Sequence, residues 1–397
     1  MINHQKKIPL SVPSLRGNEL KYVTECIETE WVSSVGSYVN RFEEAIASFL
    51  GISSAVACVN GTAALHLAMI LCNVQQNDEV IVPTITFIAP ANAVRYVGAE
   101  PVFLDCDEKL NIDPQKLEDC LKECYTKAPQ GATGVINKKT GRCLKAIVVV
   151  HVFGHPVDIE PIRKLADLYQ LKIIEDATES LGSFYSSLQG KKYMAGTVGD
   201  VACLSFNGNK IITTGGGGML LTHDKTLAEK ARHLSTQAKS DPLYYDHDMV
   251  GFNYRLTNIQ AALGVAQMEQ LESFVRIKRE NFYKYQELLQ DIKGLSLIEE
   301  PAYAKSNYWH YALIVDDPER AQLRDHLVKS LRVQGIEVRP LWRPNHLQKP
   351  YHHSFAYEPT RALWYGDRVL NLPCSVSLTD DDIHHVATTI RGLYGNA

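Results

Sequence analysis

The sequence predicts an α/β fold with a mostly parallel central sheet and a smaller α+β domain at the C-terminal end. Three observations predict it. Short apolar runs alternate with stretches of helical period over the first two thirds of the chain, as repeated βα units do. The run Ala146-Ile147-Val148-Val149-Val150 has no polar member, as expected of a parallel strand covered on both faces. From about Leu295 the alternation gives way to a mixed order of strands and helices. These features place a large domain over 1–265 and a small one over 266–397, joined by one long helix over about 257–289.

Leu15 to Glu30 has helical spacing, Trp31 to Gly36 reads as a loop, and Val39 to Leu50 as a second helix. Ala55 to Val59 is a buried strand, Asn60-Gly61-Thr62 a turn, and Ala63 to Leu71 the following helix. Backbone N–H groups at such a helix N-terminus can hold a phosphate, although an ordinary capped turn has the same pattern. Glu79–Val82 and Glu100–Asp105 are strands; Phe87–Val97 and Pro114–Lys122 are helices. Residues from about 127 to 142 hold no period and read as a surface excursion. Asp158–Tyr169 is a helix and Leu171–Asp176 a strand. Asp176 therefore ends a strand, where catalytic groups gather in open α/β sheets; a lone Asp there also serves as a helix cap or ion-pair partner.

Strands Val201–Leu204 and Met219–Thr222 flank a segment in which Lys210 precedes Gly215-Gly216-Gly217-Gly218. Glycines turn through positive φ and admit close neighbours. A lysine held at such a bend suits Schiff-base chemistry, although most lysines are merely solvated. Because the lysine comes before the glycines, the segment is not a phosphate-binding P-loop. Lys225–Leu234 is a helix, Asp241–Met249 a polar and aromatic loop, and Thr257 the cap of the long helix. The small domain holds strand Tyr311–Val315, helix Glu319–Leu331, strand Ile336–Val338 and helix Asp380–Leu393.

With 397 residues, 45% hydrophobic and 22% charged, the chain has the composition of a soluble globular enzyme. A net charge of −4 provides no basic field for nucleic acid. Nine cysteines without a Cys-x-x-Cys spacing, and a start without an apolar signal core, point to reduced thiols and a cytoplasmic address. The longest apolar run, Ala55 to Cys72, is broken by Asn60, Gly61, Thr62 and His66, and reads as strand then helix rather than a membrane span.

The segments Asn60-Gly61-Thr62-Ala63-Ala64-Leu65, Glu175-Asp176-Ala177, Ser205 to Met219 and Gly251-Phe252-Asn253-Tyr254-Arg255-Leu256-Thr257-Asn258 resemble the fold-type I pyridoxal 5′-phosphate (PLP) enzymes. Within these the chain is similar to the DegT/DnrJ-type sugar aminotransferases, over nearly its whole length. The resemblance implies that Lys210 is the Schiff-base lysine and proton shuttle, and that Asp176 partners the pyridine nitrogen. It implies phosphate ligands at Gly61, Thr62 and Ser205, a ring-stacking aromatic at Phe87, and Glu179 near the cofactor's hydroxyl. Asn253 matches a phosphate ligand that the family supplies from the other subunit of a homodimer. Arg255 and His310 are weaker matches to substrate contacts, and for His310 a satisfied core histidine beside Trp309 is an equal alternative. No metal is implied.

The family commonly has glutamate where this chain has Gly216. That departure resembles a subgroup assigned to legionaminic-acid-type pathways. Its members are similar to enzymes that use L-glutamate to aminate C4 of a UDP-linked 2-acetamido-4-keto-6-deoxy hexose, releasing 2-oxoglutarate. Two rivals remain: a sugar dehydratase of the same fold, whose resembling members carry histidine in place of Lys210, and a PLP-binding regulator without turnover.

Overall fold

The computed structural model describes residues 7–127, 134–187, 189–241, 243–317 and 322–395. A ten-stranded sheet organises it. Along its main path the strands lie in the order Ser54–Cys58, Gly218–Thr222, Val201–Ser205, Lys172–Asp176, Cys143–Val150, Glu79–Pro83, Glu100–Leu104 and Ala356–Tyr357. The six strands from Val201–Ser205 onward run parallel to one another. Gly218–Thr222 runs antiparallel to both strands beside it. Ser54–Cys58 therefore points the same way as Val201–Ser205. The carboxyl ends of Ser54–Cys58, Lys172–Asp176 and Val201–Ser205 meet at one edge, together with the start of Gly218–Thr222.

The apolar strands are buried as their composition requires; Ile147, Val148 and Val149 have no exposed surface. Asp113 and Asp224 cap the helices Pro114–Cys124 and Lys225–Ser235, each accepting from two backbone N–H groups. In place of the long helix expected over about 257–289 there are two, Asn258–Met268 and Leu271–Leu289. A capping box of Thr257 and Gln260 starts the first. Gly264 lets it lie against Phe42: a Cβ there would come 2.7 Å from that ring. Glu269, at the break, accepts hydrogen bonds from Tyr22 and Asn18 at 2.7 and 2.6 Å, tying it to the first helix, Glu19–Glu28.

A second, antiparallel sheet holds Leu295–Leu297, Tyr311–Val315, Val369–Leu372 and Arg339–Pro340, in that order. Its core is built from Phe282 and Tyr285 of the helix Leu271–Leu289, with Leu327, Leu331, Ile383, Val386 and Ile390. The strand expected at Ile336–Val338 is reduced to one bridge between Ile336 and Ile8; the two-residue strand follows it. The chain then returns to the large sheet. Ala356–Tyr357 pairs beside Glu100–Leu104, and Tyr351 packs edge-on against Phe103.

Two segments read as loops contain strands. Val135–Asn137, within the span 127–142, pairs with Tyr125–Lys127, which ends where that span begins; residues 128–133 lie outside those described. Lys239–Asp241 pairs with Asp246–His247. The opening residues 319–321 of the helix expected at Glu319–Leu331 also lie outside the description, and the helix seen is Leu323–Val333.

Candidate active site

The gathering edge of the large sheet opens into a cavity of about 930 Å³. Two close approaches shape its floor. Asn60 caps the helix Gly61–Leu71 by accepting from Ala63 N at 2.7 Å. A Cβ on Gly61 would lie 2.9 Å from Ser205 Cβ, and a Cβ on Gly218 would lie 2.4 Å from the Asn60 carbonyl. Glycine at both positions lets the helix N-terminus sit directly on the strand ends. The first residues of that helix, Gly61 and Thr62, then line the cavity together with Ser205. Such a cup of backbone donors at the positive end of a helix suits a phosphate.

Asp176 is 4% exposed, and its Oδ1 accepts from Thr178 N at 3.1 Å. Burial raises its pKa; hydrogen bonding from Thr178 and the charge of Lys210 oppose the rise without cancelling it. A cation or protonated nitrogen placed beside it would supply the missing counter-charge. Glu179, also 4% exposed, accepts from Phe153 N at 2.9 Å and lies 3.5 Å from Lys210 Nζ. Burial pushes its pKa up to about 7, against the pull of Lys210. The Lys210 ammonium sits 4.0 Å from the ring centre of Trp309, a cation–π contact, and Trp309 Nε1 donates to Asn209 O at 2.7 Å. The indole thus holds both the amine and the backbone that carries it.

Behind Asp176, the neighbouring Glu175 points into the other face of the sheet, because successive side chains alternate. It accepts from His151 Nε2 at 2.9 Å and from Gly196 N and Val198 N at 2.9 and 2.7 Å, and also from Gly199 N. Burial pushes its pKa up, but His151 and the N–H groups of Gly199 and Val198 outweigh burial and hold it below the usual carboxylate range. His151 Nδ1 accepts from Val157 N at 3.1 Å, which leaves its proton on Nε2. No spacing along the chain announces this pair, because His151 meets Glu175 only through the pairing of their two strands.

Of the residues singled out by sequence, Gly61, Thr62, Phe87, Asp176, Glu179, Ser205, Lys210 and His310 all line the one cavity. Phe87 is 57% exposed at its wall. His310 is buried, its Nδ1 lies 3.2 Å from Cys374 Sγ, and burial holds its pKa well below the ordinary value, so its imidazole is neutral. Arg255 is not among the residues that line this chain's cavity. Its guanidinium pairs with Glu43 and reaches Ala57 O at 3.4 Å. Glu43 is itself buried and binds Ala57 N and Arg232 at 2.8 Å each, so Arg255 is needed inside the fold. Asn253 is exposed, bridges Thr236, and lies outside this chain's cavity. Trp309, Trp342, Arg339 and Asn371 line the cavity without having been singled out.

The raised Glu179 pKa has a consequence for the cofactor-free protein. A carboxyl whose folded pKa exceeds its unfolded value favours folding below the unfolded pKa and loses that contribution as pH rises through the folded one. Between pH about 4.5 and about 7 the wild type should therefore lose stability relative to Glu179→Gln, whose amide can still accept from Phe153 N. Denaturant melts of both proteins across pH 4 to 8 check this, with a gap on the order of 3 kcal/mol expected at the alkaline end. A gap independent of pH would contradict it.

The model of the DegT/DnrJ/EryC1/StrS aminotransferase family matches residues 13–391. The chain is 39% identical over 388 residues to a GDP-perosamine synthase of Caulobacter vibrioides, covering 97% of each chain. It is 38% identical over 392 residues to a GDP-perosamine synthase of Escherichia coli O157:H7, covering 98% of this chain and 100% of that one. Among solved structures it is similar to the aminotransferase TlmJ of Streptoalloteichus hindustanus, with a TM-score of 0.87 and 29% identity over 98% of this chain and 100% of that one. The cofactor of these enzymes is PLP, and the donor set fits it: a glycine-floored cup for the phosphate, a buried carboxylate for the pyridine nitrogen, and an amine between them. The chain belongs to the DegT/DnrJ/EryC1/StrS family of PLP-dependent sugar aminotransferases.

Proposed function

We propose that the protein moves the amino group of L-glutamate to C4 of a nucleotide-linked 4-keto-6-deoxy sugar, in the cytoplasm, for a bacterial surface glycan. The observation that carries this reading is the Lys210 amine, held by the Trp309 face and Glu179 in a cavity that also contains Asp176 and a helix N-terminus. PLP, when bound, supplies an electron sink that stabilises the carbanion formed at the donor's Cα. Gly61, Thr62 and Ser205 would bind its phosphate, and Phe87 would cover its ring. The Asp176 carboxylate would hold a proton on the pyridine nitrogen. Lys210 Nζ would take the proton from the donor's Cα as a general base, and would deliver one to the sugar's C4 in the second half-reaction. Glu179, with a pKa near neutrality, can follow the charge changes of that amine.

The presence of Lys210 speaks against a dehydratase, and the intact pair of Lys210 and Asp176 against a silent binder. For the sugar, the subgroup resemblance at Gly216 supports the UDP-linked 2-acetamido-4-keto-6-deoxy hexose. A second reading, a GDP-linked sugar, is favoured by the names of the two relatives above. Glutamate alone should convert the bound cofactor from its yellow form in the wild type and not in Lys210→Ala. A panel of UDP-, GDP- and dTDP-linked 4-keto sugars then names the acceptor. Failure of glutamate to bleach the wild-type cofactor would exclude aminotransfer from this donor.

The reading extends to a homodimer with shared sites. Asn253 lies outside its own chain's cavity but in the segment that matches the family's cross-subunit phosphate ligand. Nearby Leu243, Tyr244 and Val250 are 74%, 73% and 86% exposed, large apolar surface of the kind a subunit contact covers. Mixing inactive Lys210→Ala with inactive Asn253→Asp chains should restore part of the activity, since a mixed dimer holds one intact site. No recovery despite proven subunit exchange would place Asn253 and Lys210 in the same chain's site.

A further inference from the structure

The helix Gly61–Leu71 builds the phosphate cup with its first turn, and one turn further on it carries a residue that the cup does not use. His66 is 9% exposed and is not among the residues that line the cavity. Its ring meets the segment 251–255 instead. The rings of Phe252 and Tyr254 lie edge-on to it, with centres 5.0 and 6.0 Å away, and its Nδ1 is 3.2 Å from Tyr254 Oη. Those two rings stack on each other at 4.9 Å. Successive side chains of an extended segment alternate, so Asn253 between them faces away from the helix, and it is exposed. The backbone of the segment is fixed as well. Val59 N donates to Tyr254 O at 2.7 Å, and Phe252 N and Tyr254 N donate to Leu234 O and Ser235 O at 2.7 and 2.9 Å. Val59 directly precedes Asn60, the cap of the cup helix. One chain's cup and its own Asn253 are thus two ends of one packed unit.

An amide side chain serves a phosphate only where its N–H groups are held in hydrogen-bond geometry, and a loose segment forfeits part of that contact to entropy. Burial lowers the His66 pKa, so its imidazole is neutral and acts by packing and hydrogen bonding rather than by charge. We propose that His66 is a positioning residue for the partner's site: it holds Phe252 and Tyr254, and through them sets the Asn253 amide that the partner's cofactor phosphate takes up. A residue on one chain's cup helix then tunes cofactor binding in the other chain. This rests on the shared-site reading above.

Mixed dimers with a different tag on each chain test this. Only a chain that keeps Lys210 gives the yellow absorbance of lysine-bound PLP, so titrating PLP into the apo dimer reads one chosen site. With His66→Phe on the chain that keeps Lys210, and Lys210→Ala on its partner, the yellow site should bind PLP as tightly as in a dimer of wild-type and Lys210→Ala chains. With His66→Phe placed on the Lys210→Ala chain instead, the yellow site of the unaltered chain should bind PLP about three- to tenfold more weakly, as expected for a loosened hydrogen bond to a charged group. Tyr254→Phe, which removes only the hydroxyl, should give the same pattern and replaces His66→Phe if that chain does not fold. A loss confined to the altered chain's own site, an equal loss in both arrangements, or no loss in either would overturn the positioning role. The same two dimers made with Asn253→Asp test the premise separately: a loss in the Asn253→Asp chain's own site would overturn the shared-site reading instead.

Discussion

The site depends on the contact between Gly218 and the Asn60–Gly61 peptide. A strand start passes so close under a helix start that a single methyl group would collide with the backbone at 2.4 Å. That approach brings the N-terminus of Gly61–Leu71 down onto Ser205, the last residue of its strand. Ser205 leads into Lys210, whose N–H turns back to Asn207 O at 3.0 Å. Asp176 ends the next strand of the sheet. Phosphate cup, pyridine partner and amine are thus spaced by the sheet's own geometry rather than by flexible loops, which is how α/β sheets build sites at their carboxyl edge.

Buried carboxylates behind the cavity keep that geometry rigid. Glu175 holds His151 and the turn at 196–199; Glu43 holds Arg255, Arg232 and the backbone of Ala57. Neither carboxylate lines the cavity. Each ties a strand of the large sheet to distant chain, and breaking a buried pair of this kind by removing one partner costs about 3–5 kcal/mol. Trp309, just before the strand Tyr311–Val315 of the small sheet, is fixed by Lys278, itself buried, which donates to its carbonyl at 3.0 Å and to that of Cys374 at 2.6 Å. A displaced small sheet would move the surface against which the Lys210 amine rests.

Much of this was legible in the sequence because it is local. Asn60-Gly61-Thr62, Glu175-Asp176 and Ser205 to Gly218 each combine a strand end with the turn that follows, and a turn's chemistry is written in its own residues. What was missed depends on pairing across long separations. Arg255 faces Glu43, and Trp309 reaches Asn209, through contacts that no spacing announces. Arg339 and Asn371 meet only because their strands pair. The break at Glu269-Gln270 was invisible for another reason: apolar residues continue at helical spacing on both sides, without glycine or proline to mark it.

The central claim is that the Lys210 amine is the one covalently joined to PLP, and borohydride reduction of the purified holoenzyme tests it most directly. Reduction fixes the cofactor where it is bonded, and peptide mapping then locates it. The account expects the label on the peptide containing Lys210 and its absence in Lys210→Ala, which should still bind PLP through the cup of Gly61, Thr62 and Ser205. Label on any other lysine, or none at all in a yellow wild-type protein, would contradict it.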